Sequence, residues 1–180
     1  MLRSLAAPAL LGVISIALLS QPASADQLDA AASQRVRVHG TVDGACGMGN
    51  GGSADFGELG SGGQQANFKV SLRCNVPFVL KFSAERGALT NRDFPHGQGP
   101  YAGSLPYTLD IAIPARRPAP VMLTGMLRSA DLLGSQSISS AGAIADQGMD
   151  VRVTLGRVDS SAGLLAGNYG ETITVTLSPI

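Results

Sequence analysis

Cys46 and Cys74 are the only cysteines in the chain, and His39 and His96 are its only histidines. Metal or redox chemistry would have to begin with these four side chains. A structural metal site draws its ligands from cysteines and histidines at short, recurrent spacings, and neither histidine stands at such a spacing from a cysteine. His39 falls among alternating valines on the polar side of a strand-like run, and His96 falls between proline and glycine, so both read as solvated surface residues. An isolated cysteine pair in an oxidising compartment reads instead as one disulfide. Closing a loop of about 28 residues would stabilise the fold by roughly 3.5 kcal/mol in the chain-entropy model.

The remaining candidates for chemistry are weaker. Asp146 and Asp150 flank Gly148 at the start of a strand-like run, which is ordinary turn chemistry rather than a catalytic carboxylate pair. Arg116 and Arg117, between Pro114 and Pro118, could contact an anion but read as an exposed loop tip. Gly47, Gly49 and Gly52 satisfy a formal GxGxxG. Dinucleotide binding needs that motif to open directly into a helix, and here it runs into serine and more glycine. Neither GxSxG nor HExxH occurs. With no arrangement of acid, base and nucleophile, the chain does not read as an enzyme, and no cofactor or metal is expected.

The elements that would position any site begin after a leader. Arg3 is followed by the apolar run Leu10–Leu19, and Ala23-Ser24-Ala25 fits a small-x-small cleavage site, so residues 1–25 read as a signal peptide. The apolar run is shorter than the roughly 20 residues a membrane span requires. Lysine and arginine number 13, as do aspartate and glutamate, and this balance offers nothing to nucleic acid or anionic lipid. Few charges, 23 glycines and many Val/Ile/Thr runs favour an exported β protein.

Strands are predicted by period-two alternation. Val36, Val38, Val42 and Cys46 share one parity of the first run, with Gly40 leaving a gap in the series. A glycine-rich loop at 47–63 follows, with a short element at Ala54-Asp55-Phe56. Further strands are expected over 67–75, 78–87, 105–113 and 149–158, and a last one from about Glu171. Pro114 to Pro120 should break the 105–113 strand. Residues 121–148 read as a long connection with short strands near 121–123 and 136–138. Without a helix signal, the expectation is an antiparallel β-sandwich whose long connections cross rather than form hairpins. In the closing run, Ile173, Val175 and Leu177 alternate with threonines up to Pro179. No charge, bulge or proline interrupts the strand before its tip, so its edge invites strand addition.

In order along the chain, VRVHGTVDGAC, DFGEL, VSLRCN, LPYTLDI, VTLGRV and AGNYGETITVTLSP resemble the spore coat protein U domain family, which includes subunits of archaic chaperone–usher pili. The resemblance implies an all-β, incomplete immunoglobulin-like β-sandwich completed by a donor strand. It divides the mature chain into an N-terminal extension with the donor strand at 26–45 and the sandwich domain at 46–180. Val36, Val38 and Val42 would be the donated side chains with Gly40 between them, Ile173, Val175 and Leu177 would line the acceptor groove, and Cys46–Cys74 would be the family disulfide. Implied partners are a periplasmic pilus chaperone, an outer-membrane usher and neighbouring pilin subunits. The implied location is the cell surface, reached through the periplasm, in adhesion and biofilm formation. The Arg/Pro stretch at 114–120 lies outside the shared pattern. Two other functions are carried beside this one: a secreted spore or cell coat protein of the same fold, and a monomeric carbohydrate-binding module, for which aromatics at 4% are sparse.

Overall fold

The computed structural model describes residues 33–180. The leader and residues 26–32 of the expected extension lie outside the described residues. The chain divides into a unit that ends at Gly40 and a body from Thr41 to Ile180, and every described strand belongs to the body. In chain order these are β1 (Cys46–Met48), β2 (Gln65–Val70), β3 (Leu72–Cys74), β4 (Phe78–Ala84), β5 (Leu89–Asn91), β6 (Ser104–Leu105) and β7 (Tyr107–Arg117). They continue with β8 (Ala119–Arg128), β9 (Gln136–Ser139), β10 (Ile144–Ala145), β11 (Met149–Leu155), β12 (Tyr169–Gly170) and β13 (Ile173–Pro179).

All strand pairings are antiparallel. The main sheet runs β8, β7, then β10 and β11 end to end, then β3 and β2 end to end, with β1 beside β3. A second sheet, β13–β4–β9, shares one hydrophobic core with it, and β12–β5–β6 form a small third sheet. Alternation dictates what is buried. Leu109, Ile111 and Ile113 of β7 and Met149, Val151 and Val153 of β11 turn inward to meet Phe78, Leu80 and Phe82 of β4. Each such side chain stabilises the fold by roughly 1.5–3 kcal/mol through burial. The paired strands β10/β11 and β3/β2 bend together at Gly148, whose φ of +84° and close approach to the Val70 carbonyl leave no room for a side chain.

The expected β-sandwich is present, but the short element expected at 54–56 forms no strand, the run expected over 67–75 divides into β2 and β3, and β7–β8 is a hairpin rather than a crossing connection. Three further expectations change. Residues 33–45 carry no strand: Val36, Val38 and Val42 are 78%, 89% and 89% exposed, and the first strand starts only at Cys46. Alternation alone does not hold a strand that has no ladder to join. Second, Pro114 does not end β7, which continues to Arg117 and turns at Pro118 into β8. The Gly156 N–H donates to the Pro106 carbonyl, so even-numbered β7 residues direct their main-chain polar groups toward β11. Pro114 then falls opposite the gap between β10 and β11, where its missing N–H breaks no ladder bond. Third, the expected connection at 121–148 holds a ten-residue edge strand, β8, and a 3-10 turn at Ser129–Gly134 before β9. Along one side of the sandwich β8 and β9 meet directly, Gly125 standing so close to the Ile138 side chain that a Cβ would lie 2.5 Å from it.

Candidate functional site

The opposite side of the sandwich is not closed in this way. β13 pairs with β4 from Ile173 opposite Ala84 to Pro179 opposite Phe78. Glu85 donates its N–H to the Thr172 carbonyl at 3.0 Å and Ile180 donates to the Pro77 carbonyl at 2.9 Å, so the even-numbered residues of this strand face β4. Ile173, Val175 and Leu177 therefore direct their N–H and C=O groups to the other edge, and among the described residues no strand pairs with it. The same three residues place half-buried side chains against the core, while Thr174, Thr176 and Ser178 face solvent.

Beside this free edge lies a cavity of about 580 Å³. Ile173 and Val175 form one wall, and Phe68 and Val70 of β2 form the other. Its floor is the core itself, including Phe82 and Val151. The glycine-rich segment runs across it. Gly49 donates its N–H to the Ser71 carbonyl at 2.9 Å, and Gly52 sits on the Phe68 ring, where a Cβ would come within 2.3 Å of a ring carbon. The glycines thus let main chain lie flat over an aromatic side chain, a packing use rather than a phosphate-binding one. Leu177 is outside the cavity; β1 lies against β13, and Leu177 packs into the core. Cys46 and Cys74 stand directly opposite each other in the β1–β3 pair and form a disulfide, as the sequence predicts.

Two cavity residues carry polar groups that the alternation pattern does not single out. Both carboxylate oxygens of Glu171 accept main-chain N–H groups, from Arg86, Ala88 and Thr172 at 2.7–3.2 Å, which holds the 85–88 turn beside the start of β13. Tyr107 is buried, and its hydroxyl has no hydrogen-bond partner within the described chain. Burial, with the negative charge of Glu171 adding to it, pushes that phenol well above its ordinary pKa. A larger hollow of about 710 Å³ lies between Asn67, Thr124, Met126 and Arg152 of the main sheet. It is bordered by strands already paired on the sides that face it, so it lacks a free backbone edge.

The other candidates do not assemble. Asp146 engages Arg116 at 2.8 Å and Asp150 lies 3.9 Å from Lys69, so the two carboxylates serve different surface ion pairs. The Arg116–Asp146 side chains are 52% exposed; Asp146→Asn should change stability by less than ~0.5 kcal/mol in thermal denaturation. His39 and His96 are both exposed, and among the described residues no three His, Cys, Asp or Glu side chains could share a metal ion. No described helix is long and apolar enough to cross a membrane.

The chain matches no protein-family model and no curated protein. The free edge of β13 and the apolar cavity beside it therefore carry the functional assignment on their own geometry.

Proposed function

We propose that this chain is a structural subunit of a surface pilus, exported through the periplasm and assembled by donor-strand exchange, in support of adhesion and biofilm formation. The observation that carries the proposal is the unpaired edge of β13 beside an apolar cavity. An added strand would gain main-chain hydrogen bonds to Ile173, Val175 and Leu177, and its alternate side chains would enter the cavity. Each bond contributes about 0.5–1.5 kcal/mol net. Each buried valine adds roughly 1.5–3 kcal/mol, so apolar burial is the larger part.

A suitable strand exists in the sequence. Val36, Val38 and Val42 share one parity and are exposed, each in the strand-free stretch before Cys46. In a neighbouring copy this segment supplies the apolar, uncharged face that the cavity accepts. Before assembly the same edge needs a temporary cover, the role given to a periplasmic chaperone, with an outer-membrane usher as the place of exchange. The disulfide agrees with passage through an oxidising compartment.

The assembled protein should run as an SDS-resistant ladder when unheated and collapse to monomer on boiling. Val38→Asp, which would bury a carboxylate in the groove, should abolish the ladder while leaving the thermal midpoint of the subunit unchanged. Deleting residues 26–42 should give a subunit that accepts a strand but donates none. A single monomer band from the unaltered assembled protein, heated and unheated alike, would refute the fibre.

A further inference from the structure

Among the mostly apolar residues that line the groove, Glu171 is the charged one and Tyr107 brings a buried hydroxyl. Tyr107 is 4% exposed and its hydroxyl is unpartnered. The rest of the residue is fully used: its N–H donates to Ser129 Oγ at 3.2 Å and its ring belongs to the core. Glu171 lines the same groove, but both its oxygens are already committed to main-chain N–H groups. Buried hydroxyls in folded proteins are nearly always paired, and phenylalanine would fill the same space without a polar group to satisfy. A strand that fills the cavity can supply the acceptor this hydroxyl lacks within the subunit.

The proposed strand narrows the choice. Val36, Val38 and Val42 carry no side-chain acceptor, which leaves a main-chain carbonyl. A phenol reaches the main chain of an inserted strand most easily where that strand has no side chain pointing down. Among the four inward positions this is Gly40. Gly40 has no left-handed φ and no neighbour that would exclude a Cβ, so the chain's own conformation does not require a glycine there. Register supplies the need. A one-residue slip would turn the valines outward. A two-residue slip keeps their parity and exchanges Gly40 with a valine, so a hydrogen bond made only at Gly40 separates the two registers.

Resting on the donor-strand reading, we propose that the Tyr107 hydroxyl donates a hydrogen bond to the main-chain carbonyl at Gly40 of a neighbouring copy, and so sets the register of the inserted strand. The test compares the full mature chain with its Tyr107→Phe and Gly40→Ala variants, each as unassembled monomer and as fibre. Tyr107→Phe should leave the monomer's thermal midpoint unchanged or raise it, because an orphan hydroxyl is removed, yet its SDS-resistant ladder should decay about three- to tenfold faster at a fixed temperature. Gly40→Ala should speed the decay likewise with the monomer unaffected. If Tyr107→Phe lowers monomer and fibre stability together, the hydroxyl is paired inside the subunit and the proposal fails. A Tyr107→Phe fibre as persistent as the unaltered one also overturns it, and an equally persistent Gly40→Ala fibre overturns the Gly40 contact. Absence of any ladder from the unaltered chain defeats the pilus assignment itself, a result distinct from all of these.

Discussion

Val175→Pro should yield a folded subunit that cannot take up a strand, whereas Thr176→Pro, one residue further on, should damage the subunit itself. The two positions are neighbours in one strand and differ in where their N–H groups point. Thr176 faces β4, opposite Lys81, within a ladder bounded by the Glu85–Thr172 and Ile180–Pro77 bonds. Proline there removes a ladder bond inside the second sheet and leaves the facing carbonyl unpaired, a cost of about 1–3 kcal/mol. For a domain of this size that lowers the thermal midpoint by roughly 2–12 °C. Val175 directs its N–H to the free edge, where proline is tolerated in a sheet, so the folded subunit should lose only the packing of part of one half-buried side chain. An arriving strand, however, loses its central main-chain donor and meets the proline ring at the middle of the edge. The ladder of assembled species should vanish for Val175→Pro while the circular dichroism spectrum stays that of the unaltered chain. Normal ladders from Val175→Pro would remove β13 as the acceptor edge, whatever else completes the sandwich.

The residues on which that contrast depends are legible in the sequence itself, because period-two alternation reports directly which face of a strand is buried. Ile173, Val175 and Leu177, like Leu109, Ile111 and Ile113, sit where their alternation places them. Alternation is silent about edges. It says nothing of which side of β13 is paired, and the same pattern at 36–42 belongs to residues that form no strand. Proline misleads in the opposite direction. Pro114, Pro118 and Pro120 read as breakers, yet one falls at an interruption in the neighbouring ladder, one makes the turn, and one lies on the edge strand β8. Tyr107 is hidden for another reason. Its inward parity with Leu109 marks it as core, and only the surroundings of its hydroxyl distinguish it from a phenylalanine. The glycine-rich loop is recognisable as a failed nucleotide motif, but its positive role, main chain lying across Phe68, depends on a contact between distant residues.

Loss of the disulfide should be the other large effect, and the groove explains why it reaches beyond general stability. β1 is three residues long and pairs with β3 alone, Cys46 lying opposite Cys74. Around the bridge, Asn75 holds the incoming chain by accepting the Ala45 N–H on Oδ1 at 2.6 Å and donating Nδ2 to the Asp43 carbonyl at 2.8 Å. Those bonds are exposed, so each contributes little without the covalent link. Converting both cysteines to serine frees a loop of 28 residues and should cost about 3.5 kcal/mol, a fall in midpoint of roughly 7–14 °C. Since β1 lies against β13 and its Met48 lines the groove, its release also uncovers apolar surface there. The Cys46→Ser/Cys74→Ser subunit should therefore bind an apolar dye more strongly than the unaltered one at temperatures well below its own midpoint. A midpoint within ~2 °C of the unaltered chain, or equal dye binding at such temperatures, would mean that β1 is held by its backbone and asparagine contacts and that the bridge does not define the end of the groove.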